Sequence, residues 1–408
     1  DNTYDASDQE ANELRFLYRT IEDYGVGHLC SVDWSVNKGT GHVWSEFIPM
    51  VESPDVEPVP RNKHKVVAGE DGKFYARPYL DSPQCLQFKW LSVFSTASDS
   101  DIVNGLIEFI ESYHLWIESL PTDSNDMAVT NKEKCRQDYL RIKNNILDFL
   151  RLPDNMLSFR LMNAAMFMQL WHSRPENQNK FSSDNRGKRG VSIDYYKSLP
   201  AEVAKGKGPA AWRSFQLAFI LLNIDGIINN PLDDNWDKRN AYVDLVWFPT
   251  GGGKTEAYLG IIAFCILNRR LIASKNGTKG GGTTAIMRYT LRLLATQQFQ
   301  RATRLILALE SIRSWGIYDL GDEPISIGLY VGNDSLPNTE SGLIDEAKKW
   351  KDDAPSKIPL DKHRCPWCGG ELEWEERIVG RKKERNFICK HTFCFRRGLP
   401  ILLCDDYV

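Results

Sequence analysis

The chain contains a stretch, WFPTGGGKTEAYLG at residues 247–260, in which three glycines stand between an apolar run and a lysine. Glycine weakens both strands and helices, so consecutive glycines indicate a place that requires bare backbone. The apolar run 242–248 predicts a buried strand, and 256–267 predicts a buried helix, with the glycines at the turn between them. Such a turn lets several backbone N–H groups converge on an anion, and the start of the helix adds partial positive charge. We therefore predict a phosphate-binding loop.

The predicted loop assigns roles to its residues. Lys254 would reach the β and γ phosphates of ATP and the Thr255 hydroxyl would hold Mg²⁺, so these two are the predicted catalytic residues. The strict form of the loop has glycine at position 248, where this chain has Phe248. The alternative is an ordinary strand-to-helix turn that contains glycines. The residues predicted to contact the nucleotide in this loop are Pro249, Thr250, Gly251, Gly252, Gly253, Lys254, Thr255 and Glu256.

Four cysteines toward the C-terminus form two pairs, in CPWCGG and CKHTFC, with the spacing C-x2-C-x20-C-x4-C. This spacing is typical of zinc ribbons, because two close pairs of thiolates can complete a tetrahedron around the metal. We predict a structural Zn²⁺ with no open position for catalysis. His391 is an alternative ligand in place of one of the last two cysteines. The predicted ligands are Cys365, Cys368, Cys389 and Cys394.

Two segments flank the loop and suggest what the nucleotide is for. Upstream, AWRSFQLAFILLN places Phe215 and Gln216 before an apolar helix, where they could stack on and hydrogen-bond an adenine. Gln216 could equally be a surface residue. Downstream, 283–289 predicts a strand, followed by an arginine-rich helix suited to nucleic-acid phosphates. The alternative for this helix is a solvated face. Its arginines and the one before it are Arg288, Arg292, Arg301, Arg304 and Arg313.

In this order the segments resemble the first motor domain of a superfamily 2 helicase, with a glutamine motif, the PTGGGKT loop and RYTLRLLATQQ in place of motif Ia. The sequences of three segments also resemble the DrmA family, helicase-like subunits of the bacterial DISARM anti-phage system: WFPTGGGKTEAYLG, MRYTLRLLATQQFQRA and CPWCGG. The resemblance is most specific over 212–302. It implies ATP-driven work on DNA and a DrmB-type partner subunit. The nucleic-acid contacts it implies are Arg288, Thr290, Arg292, Gln297 and Arg301.

These motifs must be positioned by an α/β architecture. We predict a RecA-like P-loop motor domain over 209–408, incomplete at its C-terminus, with a zinc-ribbon insertion at 362–398. Apolar residues of helical period over 102–120, 140–152 and 156–171 predict a mostly helical N-terminal domain, 1–171, that packs as core. The polar composition of 172–208 predicts a linker or mobile loop.

Composition sets the remaining bounds. The formal charge of −3 excludes a strongly basic chain, so any nucleic-acid site must be a local patch. The longest apolar run and the acidic N-terminus predict no membrane span and no secretion signal, and hence a cytoplasmic location. Nine cysteines, an odd number, favour a reduced compartment over a disulfide framework.

Two functional classes fit this sequence. The first is an ATP-dependent DNA helicase or translocase, and the second is an ATP-gated DNA-binding switch without strand separation. Lys254 and Thr255 disfavour a scaffold with a degenerate loop. LPILLCDDYV resembles a strand that ends in catalytic acids, but we expect Asp405 and Asp406 to be structural, so that this chain alone binds ATP and hydrolyses it poorly.

Overall fold

A computed structural model describes most of the chain between residues 84 and 404, together with a short hairpin near the N-terminus. It shows a mixed α/β protein that is mostly helical, and its few strands are short. The described residues are 12, 16, 30–37, 40–46, 84–122, 126–178, 192–204, 208–228, 243–246, 253–289, 292–332, 335–379, 382–391, 394, 398–404 and 406.

Helices make up most of the described residues, and they follow the apolar periodicity of the sequence. The periodic stretch 102–120 coincides with α2 up to its C-cap, Leu120, and 156–171 lies within α4, so those two predictions are confirmed. The stretch 140–152 is divided between the end of α3, a π-helical turn at Asn145–Leu150 and the break before Pro153. The helices are α1 (Phe88–Leu91), α2 (Asp99–Ser119), α3 (Asp126–Asn144), α4 (Pro153–His172), α5 (Ile193–Ser198), α6 (Ser214–Ile228), α7 (Lys254–Lys275), α8 (Arg292–Ser314) and α9 (Glu340–Lys351).

The strands of the described residues pair two by two. β1 (Ser31–Asn37) and β2 (Thr40–Glu46) form an antiparallel hairpin. β4 (Leu372–Val379) and β5 (Lys382–Cys389) form a second one, in which Leu372 lies opposite Cys389. β3 (Ile327–Gly328) is parallel to β6 (Ile401–Leu402), so the chain between them leaves and returns to the same place.

The strands predicted on either side of the loop helix are wrong in the part of the chain that the structure describes. Residues 243–246 and 283–289 pair with no described strand. Val243 is 93% exposed, Leu245 82% and Ile286 86%, so these apolar side chains are not in the core. An apolar run becomes a buried strand only where a neighbouring strand completes its hydrogen bonds, and composition does not reveal that partner.

Helix α4 is the centre of the core, and it is buried on almost every side. It packs against α1, α7 and α8. Its Asn163 side chain accepts a hydrogen bond from the Trp212 indole at 2.7 Å, and Asn155 accepts one from Asn268 at 2.8 Å, so these two buried amides are paired. One continuous hydrophobic cluster therefore runs across the predicted boundary between 171 and 209.

Helix α7 is long and apolar enough to cross a bilayer by length and composition alone. More than half of its apolar stretch is buried inside the protein. At Gly260 an added Cβ would meet Trp212 and Ile220 at 2.8 Å, so this glycine lets α7 and α6 approach closely. The burial and the close packing identify α7 as a core helix.

Candidate functional site

The four predicted metal ligands lie together in the structure. The Sγ atoms of Cys365, Cys368, Cys389 and Cys394 are all within 4.8 Å of one another. The Cys365–Cys394 pair is separated by 3.7 Å and the Cys368–Cys389 pair by 3.4 Å. A tetrahedron with Zn–S bonds of about 2.3 Å has sulfur atoms about 3.8 Å apart, whereas a disulfide needs about 2.05 Å. The geometry therefore fits a metal ion such as Zn²⁺.

Local backbone structure explains how the chain brings these sulfurs together. The turn 365–370, which we name the knuckle, is closed by hydrogen bonds from Cys365 N to Gly370 O at 2.6 Å and from Gly369 N to Cys365 O at 2.9 Å. Gly369 has φ +73°, a conformation that favours glycine. A Cβ on Gly370 would meet the His391 ring at 2.7 Å. Both glycines are therefore required by the geometry of the knuckle.

Electrostatics at the cluster are consistent with shared thiolates. Burial raises the pKa of Cys365 and Cys394 well above its usual range. Hydrogen bonds from the three neighbouring cysteines lower the pKa of Cys389. A bound cation would offset the cost of burying several thiolates. His391 Nδ1 lies 3.5 Å from Cys368 Sγ, so the histidine stands beside the four sulfurs and replaces none of them.

The knuckle docks onto the helices through its backbone carbonyls. His172 Nδ1 lies 2.8 Å from Trp367 O and Nε2 lies 2.9 Å from the Tyr196 hydroxyl, with the imidazole stacked on the Trp367 ring at 3.7 Å. Gln178 donates to Pro366 O at 3.4 Å, and Arg304 Nε donates to the same oxygen at 3.3 Å. Burial lowers the pKa of His172 to about 3, so the imidazole is neutral.

Sequence reasoning missed these docking residues. His172 and Gln178 belong to the segment predicted as a polar linker, yet both are fully or nearly fully buried. The available signal was weak: His172 ends an otherwise apolar helix, where a polar residue usually marks the surface. Gln178 donates to His172 O at 2.6 Å, but its partner in the knuckle, Pro366 O, is 188 residues away in the chain, and no local pattern indicates it.

At the loop, the structure brings together the predicted glutamine and the last glycine. Gln216 is 5% exposed, and its Nε2 donates to Gly253 O at 2.7 Å while its Oε1 accepts from Arg213 N at 2.8 Å. The surface alternative for Gln216 is therefore wrong. Gly253 has φ +89° and an added Cβ would meet Gln216 Nε2 at 2.8 Å, so this position requires glycine.

The other predicted nucleotide contacts are less completely described. Pro249, Thr250, Gly251 and Gly252 lie outside the described residues. Lys254, Thr255 and Glu256 form the first turn of α7, as predicted, and Phe215 is half-buried in the first turn of α6. The N-cap of α7 is Gly253, which has no side chain to cap the helix, so an anion could accept hydrogen bonds from the N–H groups of the first turn.

The predicted nucleic-acid residues separate in the structure. Arg288 is exposed, and Gln297 is exposed on α8, while Thr290 and the side chain of Arg292 lie outside the described residues. Arg301 forms an ion pair with Glu256, so it contacts the loop helix. Burial lowers the pKa of Arg301.

Two further arginines of α8 have partners within the protein. Arg313 holds Glu310 through two bonds of 2.6 and 2.7 Å, and Arg304 holds the knuckle as described above. The solvated-face alternative is therefore wrong for these two residues. The apolar side of α8 is buried as its periodicity predicts, with Leu305, Leu309 and Ile312 in the core.

The C-terminal aspartates do not meet the loop in the described part of the chain. Asp406 Oδ2 accepts a hydrogen bond from Glu340 N at 2.8 Å, at the start of α9. A carboxylate at this position interacts favourably with a helix N-terminus, which is a structural role. Asp405 lies outside the described residues.

The described residues thus combine a buried glutamine bonded to Gly253 with a knuckle of four buried cysteines that could hold a metal ion, both on one helical core. Comparison with known proteins narrows the class of the protein. No protein-family model matches the chain. It is 31% identical, over 96% of its length, to the DISARM protein DrmA of Bacillus paralicheniformis, and it spans 34% of that protein. The chain is thus DrmA-like along almost its whole length.

Proposed function

We propose that this chain is the nucleotide-binding part of a DrmA-like subunit, that it acts in DISARM anti-phage defence, and that it uses ATP to perform work on DNA as a helicase or translocase. Support comes from the similarity to a DISARM protein and from the loop sequence. The proposal includes a RecA-like motor domain from about 209, a zinc ribbon at 362–398, a DrmB-type partner and a cytoplasmic location.

The observation that carries the proposal is the hydrogen bond from Gln216 Nε2 to Gly253 O. It places the glutamine of the upstream segment against the end of the glycine loop, where a nucleotide would lie. Lys254 would hold the phosphates, Thr255 would hold Mg²⁺, and the first turn of α7 would offer N–H groups to the β phosphate. When bound together with Mg²⁺, ATP would supply the free energy of phosphoryl transfer.

A second candidate function, the ATP-gated DNA switch, is favoured by the ion pair between Glu256 and Arg301. Glu256 is in the first turn of the loop helix and Arg301 is on α8, the arginine-rich helix. Nucleotide binding beside Glu256 would change the charge that faces Arg301. The nucleotide site and the candidate DNA-binding helix would then be coupled without strand separation.

The test is a Lys254→Ala substitution with Lys279→Ala as the control, because Lys279 is exposed beyond the other end of α7. Titration calorimetry with Mg·ATP should show binding to the parent and the control, and a loss of binding of at least tenfold in Lys254→Ala, since a charged lysine–phosphate hydrogen bond is removed. Equal ATP affinity in the two variants would refute the loop assignment. A strand-separation assay on a forked DNA duplex then separates helicase from switch.

A further inference from the structure

A cleft of about 270 Å³ lies between the helical core and α8, beside the first turn of α7 and outside the metal knuckle. Its walls come from α1 and α4 on one side and from α8 on the other, with Glu256 of α7 at one end. The volume corresponds to roughly nine water molecules at about 30 Å³ each. The cleft is therefore large enough for one nucleobase with its sugar and too small for a helix or strand.

The floor of the cleft is apolar except for one amide. Phe88 is 4% exposed and Met166 1%, and Leu170 is half-buried beside them. Gln169 also lines the cleft and is 5% exposed. The Gln169 amide is not among the fully buried side-chain atoms that lack a partner, so it needs no ligand to be satisfied. Its donor and acceptor can pair with a ligand edge that enters the cleft.

The rim of the cleft is positively charged. Arg301 and Arg304 lie one turn apart on α8, with Gln297 and Gln300 beside them. Arg304 donates its Nε to Pro366 O, and in the described part of the chain no carboxylate pairs with its guanidinium. Burial and the nearby charges of Arg364 and Arg301 lower the pKa of Arg304. An anion at this rim would relieve the repulsion among the three guanidinium groups.

We propose that this cleft is a second nucleotide site, in which the base of one nucleotide unit lies on the floor of Phe88, Met166 and Leu170 and its phosphate lies between Arg301 and Arg304. Aromatic and thioether side chains accept the flat face of any base, and arginine binds phosphate oxygens through paired N–H groups. The Gln169 amide pairs with a base edge. The nucleotide unit comes either from single-stranded nucleic acid or from a free nucleotide, which present the same chemistry.

The metal knuckle gives this site its geometry. Pro366 lies between the ligands Cys365 and Cys368, and its carbonyl fixes Arg304. Glu256 joins the cleft to the loop through its ion pair with Arg301. A phosphate in the cleft would compete with Glu256 for Arg301, so occupation of the cleft would release Glu256 beside the first turn of α7.

The experiment uses the whole chain with Lys254→Ala, so that the loop does not contribute to binding. Three probes are titrated by calorimetry: dAMP, inorganic pyrophosphate and a short single-stranded oligodeoxynucleotide. Arg304→Gln removes the rim charge, Gln169→Leu removes the amide while keeping the volume, and Arg151→Gln is the charge-matched control, because Arg151 is exposed after the π-helical turn. Circular dichroism and thermal unfolding verify that each variant is folded.

We expect Arg304→Gln to weaken binding about 10- to 100-fold, the range for a charged hydrogen bond, and Arg151→Gln to change it less than twofold. Gln169→Leu should weaken dAMP and leave pyrophosphate unchanged. If Arg304→Gln weakens the binding of the oligodeoxynucleotide alone, the nucleotide unit comes from single-stranded nucleic acid. If it also weakens the binding of dAMP, the site accepts a free nucleotide.

The proposal is overturned if the Lys254→Ala chain binds none of the probes, or if Arg304→Gln binds all of them as tightly as its parent. Pyrophosphate binding as tight as dAMP binding, with no effect of Gln169→Leu, overturns the base pocket. These outcomes are independent of the loop assignment, which fails only if Lys254→Ala leaves ATP affinity unchanged in the otherwise native chain.

Discussion

Replacing Gln216 with leucine tests the link between the upstream helix and the glycine loop. Leucine keeps the volume of the buried side chain and removes both of its hydrogen bonds. In one, Nε2 donates to Gly253 O, and in the other, Oε1 accepts from Arg213 N. The matched control is Gln137→Leu, because Gln137 is an exposed glutamine on α3.

The size of the effect follows from these two bonds. Each neutral hydrogen bond contributes about 1 kcal/mol, so the variant loses about 2 kcal/mol of unfolding free energy. In a chain of 408 residues the unfolding entropy is large, and this loss lowers the midpoint temperature by only about 2 °C. If both bonds hold the loop in its binding form, the same energy weakens ATP binding by up to about thirtyfold.

The assay combines Mg·ATP titration calorimetry with thermal unfolding of the parent and the two variants. Gln216→Leu should show a small decrease in midpoint and a large decrease in ATP affinity, and Gln137→Leu should show neither. ATP affinity within twofold of the parent would show that the buried glutamine is a packing residue with no part in nucleotide binding. A midpoint decrease of more than about 10 °C would mean that the substitution disrupts the core.

Two further predictions concern the metal knuckle and its docking. Metal analysis of the native chain should find about one Zn²⁺ per chain, and Cys365→Ser should reduce that zinc content. Hydrogen exchange around the knuckle should become faster in the variant, because the free energy of metal binding contributes to folding here. A full complement of zinc in the variant would contradict the four-sulfur site. His172, with its pKa lowered to about 3, takes up a proton below about pH 6.5 only when the chain unfolds, so the stability that is present above pH 6.5 should decrease by about 2 kcal/mol at pH 5. Urea unfolding at pH 7.5 and pH 5 should show this decrease in the parent and not in His172→Gln. An equal decrease in unfolding free energy in both proteins would exclude His172 as its origin.

Local patterns were sufficient for some parts of this structure. The helical period of α2 and α4 is a property of adjacent turns, and burial of one face follows directly from it. The spacing of the cysteines likewise predicts its own site, because the 365–370 turn and the pairing of β4 with β5 bring the four sulfurs together. The glycine run predicted a place that requires bare backbone, and Gly253 has φ +89° with no room for a Cβ beside Gln216.

Long-range partners could not be predicted in the same way. The apolar residues Val243 and Leu245 resemble a buried strand, but a strand also needs a neighbour, and their exposure shows that apolar composition does not supply one. The partner of Arg301 is Glu256, 45 residues earlier, and the partner of His172 is Trp367, 195 residues later. Charge and polarity identify such side chains as capable of bonding and do not identify what they bond to.

The manner in which the knuckle docks has a consequence for mutational tolerance. Its hydrogen bonds to His172, Gln178 and Arg304 are made by the main-chain oxygens of residues 366 and 367, which every amino acid possesses. A substitution at Pro366 therefore leaves the acceptor in place, whereas a substitution on the helical side removes the donor itself. In a saturation-mutagenesis experiment the two sides of this one interface should differ, with position 366 permissive and positions 178 and 304 restrictive.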